Sequence, residues 1–121
     1  MNKKTLVIGA SPNPDRYAYK AARLLTQYGH SIELFGKHKG EIDGKVIQNS
    51  FPEHIDDLDS VTLYVNPFNQ EELEDKIIAL KPKRIIFNPG TENPGFEEKA
   101  QEAGIQTEEA CTLVLLHTGQ Y

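Results

Sequence analysis

The sequence predicts an α/β domain with a doubly wound, five-stranded, mainly parallel sheet. Short apolar runs such as Leu6-Val7-Ile8 and Arg84-Ile85-Ile86-Phe87 alternate with segments of helical spacing. Each run ends abruptly in small or turn-forming residues, as strands feeding crossover helices do. There is no internal repeat, low-complexity stretch or linker, so the 121 residues read as one domain, 1–121, near the commonest domain size.

Leu6-Val7-Ile8 is continuously apolar and bounded by Gly9, the pattern of a buried parallel strand. The next segment, Arg16 to Tyr28, places Ala18, Ala21, Leu25 and Tyr28 at helical spacing, as it does Tyr17, Leu24 and Tyr28. Gly29 supplies the stop. Ser31-Ile32-Glu33-Leu34-Phe35 is strand two, and its alternation suits a less covered face. Gly36 to Pro52, with three glycines, reads as an irregular loop holding a short extended piece near Val46-Ile47. Val61-Thr62-Leu63-Tyr64-Val65 is strand three, rich in β-branched and aromatic residues.

Asn69 is the expected cap of the next helix, with Glu72 in capping-box register. Leu73, Ile77 and Leu80 form its buried stripe, and Pro82 ends it. Strand four is Arg84 to Phe87. Asn93-Pro94 starts another helix with proline at its first position, Phe96, Ala100 and Ala103 face inward, and Gly104 stops it. Ile105 to Glu108 is strand five, at an edge. Cys111 to Tyr121 fits a strand or a short helix equally well.

Composition narrows the function classes. Eighteen acidic against 13 basic residues give a net charge of −5, which disfavours non-specific nucleic-acid binding. No apolar run approaches the roughly twenty residues that cross a bilayer, and Thr5 to Ala10 is too short for a signal peptide's apolar region. Cys111 is the single cysteine, so the chain lacks a disulfide framework and a cysteine metal cage. These features together predict a cytoplasmic protein. Exposed tyrosines or an edge strand offer surfaces for a homodimer.

The site is expected where ligands bind doubly wound sheets, beyond the carboxyl ends of strands at a switch in direction. In the order 3-2-1-4-5 that switch falls between strands one and four. The bends Gly9-Ala10-Ser11 and Asn88-Pro89-Gly90-Thr91 would then lie side by side. Strand, tight turn and helix together bring backbone N–H groups and a helix dipole to a phosphate. Gly9 and Ala10 admit close approach, Ser11 offers a hydroxyl, and Arg16 can pair with a phosphate oxygen. The turn lacks both G-x-G-x-x-G and the triphosphate cradle G-x-x-x-x-G-K-S/T. Strand two ends in Gly36-Lys37-His38-Lys39, a basic tip where an acidic residue would suit an unphosphorylated ribose diol.

With these residues assembled, the chain resembles the small bacterial CoA-binding domain proteins. Their Rossmann-like fold is shared with the CoA-binding part of the succinyl-CoA synthetase alpha subunit. The resemblance spans essentially the whole chain. It rests on V-I-G-A-S-P-N-P-D-R-Y at residues 7–17, Tyr64-Val65-Asn66-Pro67, Ile86-Phe87-Asn88-Pro89-Gly90-Thr91-Glu92-Asn93, and the closing Glu109-Ala110-Cys111-Thr112-Leu113-Val114. It implies that Gly9, Ala10, Ser11 and Arg16, with Tyr17 beside it, surround the pyrophosphate of CoA. Gly36 and Lys37 would approach the adenosine ribose and its 3′-phosphate, Asn66 and Pro67 the adenine or ribose, and Asn88, Pro89, Gly90 and Thr91 the pantetheine. The chain departs from the family pattern at Gly36-Lys37, where relatives often carry asparagine-proline.

The residues themselves supply no catalytic constellation. His30, His38, His54 and His117 are far apart in the predicted layout and read as exposed structural residues. Glu71, Glu72, Glu74 and Asp75 read as charges favouring a helix dipole. No spacing resembles a zinc site or a calcium loop. Cys111 reads as a small buried hydrophobe, or else as a thiol placed to form a mixed disulfide with CoA. The leading expectation is therefore non-catalytic or accessory binding of CoA or acyl-CoA. The alternatives are an enzyme or enzyme subunit acting on acyl-CoA or a nucleotide with a partner chain, and an NADP or other adenine-nucleotide module.

Overall fold

The computed structural model describes every residue from Met1 to Tyr121. Its strands are β1 (Thr5–Ile8), β2 (Ile32–Phe35), β3 (Glu41–Ile42), β4 (Lys45–Val46), β5 (Ser60–Leu63), β6 (Arg84–Phe87) and β7 (Gln106–Glu109). The helices are α1 (Tyr17–Gln27), α2 (Pro67–Gln70), α3 (Glu74–Ala79), α4 (Pro94–Glu102) and α5 (Thr112–His117), with a 3-10 turn at Glu71–Leu73. Five strands form one wholly parallel sheet in the order β2-β1-β5-β6-β7. None of the helices is long and apolar enough to cross a membrane.

That order corrects the expected position of strand three, which lies against strand one on the side away from strand two. Right-handed crossovers explain the layering. Moving from β1 out to β2 puts α1 on one face, and moving the other way through β5, β6 and β7 puts α3 and α4 on the opposite face. Leu6, Ile8, Leu63, Ile85 and Phe87 pack there against Ile77, Phe96 and Ala100. Val7, Ile32 and Leu34 pack on the other face against Ala18, Ala22, Leu25 and Leu116. Ala103, expected to face inward, is exposed, as are Tyr17 and Tyr28.

The loop after β2 is more ordered than its composition suggests. β3 and β4 form an antiparallel hairpin whose turn residues, Asp43 and Gly44, both have positive φ, 50° and 81°. Such a turn matches the twist of the flanking strands. The chain beyond β4 then lines the β2 edge: Gln48 N–H donates to Leu34 O at 2.9 Å, and Gly36 N–H to Gln48 O at 3.1 Å.

The second sheet face turns polar toward its centre, and this gives the final segment its role. Thr5, Ser60, Thr62 and Arg84 are all buried. Helix α5 covers Thr62 with Thr112, hydroxyl to hydroxyl at 2.8 Å. Arg84 donates to Ser60 Oγ at 2.6 Å and to the Tyr121 main-chain oxygen at 3.1 Å, with its guanidinium 4.2 Å from the Tyr121 ring centroid. The Tyr121 hydroxyl bonds Thr5 Oγ1. Buried polar groups are tolerated when bonded, and these are.

His30 belongs to the same end and is only half-buried rather than exposed. Its Nδ1 accepts the Lys3 backbone N–H at 2.9 Å, and its ring lies 5.0 Å from that of Tyr121. Burial, and then neighbouring positive charge including Lys3 and Arg84, holds its pKa below the usual 6.5. The unfolded chain therefore binds the extra proton more readily. Stability contributed by neutral His30 is present above pH 6.5 and is lost as pH falls through the lowered value. Urea midpoints at pH 7.5 and pH 5 should show a smaller acid loss in His30→Asn than in the wild type. Equal losses would contradict this role.

Candidate functional site

The carboxyl ends of β1, β2, β5 and β6 open into one cleft of about 1010 Å³. This is at the upper end of small-molecule sites, about 300–1000 Å³. The switch in winding falls between β1 and β5. The bends after Ile8 and Phe87 share the cleft without being neighbours, because β5 runs between them. Gly9, Ala10, Ser11, Arg16, Tyr17, Gly36, Lys37, Asn66, Pro89, Gly90 and Thr91 all line it. Asn88 faces a side cavity instead, and Pro67 stands outside as the first residue of α2.

The first turn is built differently from the simple phosphate cradle expected. Gly9 and Ala10 donate their N–H groups to the same acceptor, Phe35 O, at 2.9 and 3.0 Å, so neither is free for a ligand. Gly9 has φ of 94°, and a Cβ there would meet Tyr64 O at 2.9 Å. Its lack of a side chain serves the contact between neighbouring strand ends. Gly36 is similar: a Cβ would stand 2.1 Å from Ala10 O. Ser11 Oγ is engaged as acceptor from Asn13 N–H at 3.1 Å.

The free donors lie one step further along. Arg16 is the N-cap of α1 and provides no side-chain cap, and the first turn carries no acidic residue. The N–H groups of Tyr17, Ala18 and Tyr19 therefore keep their bonding capacity at a helix end with a positive dipole. By contrast, Asn66 caps α2 through Asn69 N–H at 2.9 Å, and Asn93 caps α4 through Phe96 N–H at 3.2 Å. The cap expected at Asn69 is thus Asn66, followed by proline as Asn93 is. Arg16 and Lys37 are exposed at the cleft, and neither forms an ion pair.

Two buried amides hold the rim together. Gln70 donates to Val65 O at 2.9 Å and Thr91 O at 2.8 Å, and accepts from Asn93 Nδ2 at 2.9 Å. It ties the loop after β5 to the loop after β6. Asn88 donates to Thr62 Oγ1 at 2.6 Å and Leu63 O at 2.8 Å, and accepts from Thr112 N–H at 2.9 Å. Thr91 Oγ1 donates to Asn88 O at 2.8 Å. Asn88 and Thr91 thus spend their side chains on architecture.

Sequence reasoning missed Phe35, His38, Asn49, Tyr64 and Glu72 as cleft residues. Phe35 and Tyr64 sit at strand ends, the position that could have marked them. Asn49 donates to Gly36 O at 2.7 Å, fixing the basic tip. The Tyr64 hydroxyl is buried without a hydrogen-bond partner, although the Thr62–Thr112 hydroxyl pair lies beside it, and burial raises its pKa. Tyr64, Tyr17 and Pro89 also wall the side cavity of about 260 Å³, which Asn88, Cys111 and Leu113 complete. Cys111 is half-buried there with a free thiol.

Comparison with known proteins bears on the fold and the family. A solved structure described as an uncharacterized protein is 50% identical, covering 100% of this chain and 99% of its own, with a TM-score of 0.97. A hypothetical protein from Pyrococcus horikoshii is 27% identical over 98% of this chain and 84% of its own, with a TM-score of 0.86. A Thermus thermophilus protein shares the fold at 24% identity, 99% and 91% coverage, and a TM-score of 0.87. No curated protein matches the sequence. Residues 3–117 match the family described as the CoA binding domain, nearly the whole sequence, and the chain belongs to that family.

Proposed function

We propose that the protein binds CoA or an acyl-CoA without turning it over, as an accessory or carrier domain. The observation carrying this reading is the uncapped N-terminus of α1, set in one cleft with two unpaired cations, Arg16 and Lys37. A diphosphate suits the first: three free N–H groups, a favourable dipole and a guanidinium able to grip phosphate oxygens. A ribose 3′-phosphate suits Lys37 at the tip after β2. The Pro89-Gly90-Thr91 bend then flanks the pantetheine arm. The groups with acid–base chemistry at the cleft, Asp15, His38 and Glu72, are exposed and bond no nucleophile, which supports binding rather than turnover.

A basic tip would also accept the 2′-phosphate of NADP, so the test compares CoA, dephospho-CoA, acetyl-CoA, NADP and ATP by thermal shift. At a hundredfold excess over Kd, a true ligand stabilises by about 2.7 kcal/mol. CoA should produce that shift and NADP should not; the reverse result overturns the reading. Lys37→Ala should weaken CoA about tenfold, the scale of one charge-assisted hydrogen bond, and leave dephospho-CoA nearly unchanged. Arg16→Ala should weaken both. Equal losses on Lys37→Ala would remove that residue from the 3′-phosphate.

A further inference from the structure

We infer that the cavity beside the cleft receives the acyl group of a short, uncharged acyl-CoA, so that the preferred ligand is the thioester and not free CoA. This rests on the CoA reading above. The cavity adjoins the cleft, since Tyr17, Tyr64 and Pro89 wall both. Its wall includes Pro89, part of the bend that the CoA reading sets beside the pantetheine arm.

The chemistry of the wall selects the occupant. Two tyrosine rings, Pro89 and Leu113 make it largely apolar, and no charged side chain reaches it. Asn88, its one amide, has both polar atoms bonded within the protein. A carboxylate entering here would lose hydration and find no cation, which is costly. Succinyl and malonyl groups are therefore disfavoured. A methylene chain loses nothing polar. The volume of about 260 Å³ exceeds the roughly 150 Å³ in which an apolar cavity holds the six carbons of benzene, so a short acyl chain fits.

Isothermal titration under reducing conditions, which keep Cys111 from exchanging with a ligand thiol, tests the inference on the whole chain. The series is CoA, acetyl-CoA, butyryl-CoA and succinyl-CoA. At about fourfold per buried methylene, the two extra methylenes should make butyryl-CoA bind about fifteenfold more tightly than acetyl-CoA, with succinyl-CoA weaker than either. Leu113→Trp, which fills the cavity from a half-buried position, should abolish the butyryl preference and retain CoA binding. Equal wild-type affinities for CoA and butyryl-CoA would end the inference and leave the CoA reading intact. So would a butyryl preference that survives Leu113→Trp. Should Leu113→Trp fail to fold, Cys111→Phe fills the same space, and the wild-type series decides by itself. Failure of every CoA ligand to bind would instead remove the underlying reading, and this inference with it.

Discussion

Gly36→Ala should cost about 3 kcal/mol or more of stability, the scale of a severe backbone overlap in a packed site. The added Cβ would stand 2.1 Å from Ala10 O and 3.1 Å from Ala10 C, so backbone must retreat. The retreat pulls β2 from the first turn and breaks the paired donation of Gly9 and Ala10 N–H to Phe35 O. A stability of 5–15 kcal/mol is typical of domains, so this loss would be a large share of it. Gly95→Ala is the matched control. It lies in the first turn of α4, where a Cβ meets nothing nearer than Asn93 Oδ1 at 3.7 Å, and it should be neutral or stabilising by up to about 1 kcal/mol. Urea unfolding at unchanged slope reads both changes. A loss below 1 kcal/mol for Gly36→Ala would show that the two turns do not touch. The same contact gives a functional consequence. Since Lys37 follows Gly36 directly, separating the turns would also move the basic tip away from the α1 end.

Elements whose neighbours are apolar on both faces were legible in the sequence. β1 and β6 lie in the sheet interior, so Leu6-Val7-Ile8 and Ile85-Ile86-Phe87 carry the whole signal of a buried parallel strand. The turn after β1, the helix after it and the basic tip were legible for the same reason, because local composition and position coincide. Strand order was not, since the composition of a run does not say which strand neighbours it and only long-range packing puts β5 beside β1. The final segment was ambiguous because the face it covers is polar. Helix α5 buries Thr112 and Leu116 alone, too little for a helical stripe. The cap of α2 was displaced because Asn66-Pro67 and Asn69 with Glu72 are competing start signals three residues apart. At the site, the sequence singled out Gly9 and Ala10 for close approach of a ligand, whereas Gly9 and Gly36 are required by contacts between neighbouring turns. A sequence cannot reveal that Phe35 O has claimed two N–H groups. Gln70, flanked by Asn69 and Glu71, has the look of a surface residue and carries no signal of its burial.

Asn88→Ala should destabilise the protein by about 3–5 kcal/mol, because three bonds end on one buried side chain. Truncation leaves Leu63 O and Thr112 N–H without their side-chain partner, at roughly 1–3 kcal/mol each, and opens a void where the amide stood. The sharper variant is Asn88→Asp, which keeps the shape and changes one property. A carboxylate can accept from Thr112 N–H and the Thr62 hydroxyl, yet it faces Leu63 O with nothing to donate. Burial and that opposing carbonyl both favour the protonated acid, so its folded pKa lies above the unfolded one. The sign follows from linkage: the folded variant binds the proton more readily, and lowering pH stabilises it relative to the wild type. The gap between Asn88→Asp and wild type in urea midpoints should therefore narrow from pH 7.5 to pH 5, while the Asn88→Ala gap stays constant. A constant gap for both variants would mean that Leu63 O does not depend on this donor. Because Asn88 also floors the side cavity and leads into Pro89-Gly90-Thr91, any loss of its bonds should reach ligand affinity as well as stability. Conditions in which Asn88→Asp is folded, checked by circular dichroism, separate those two effects.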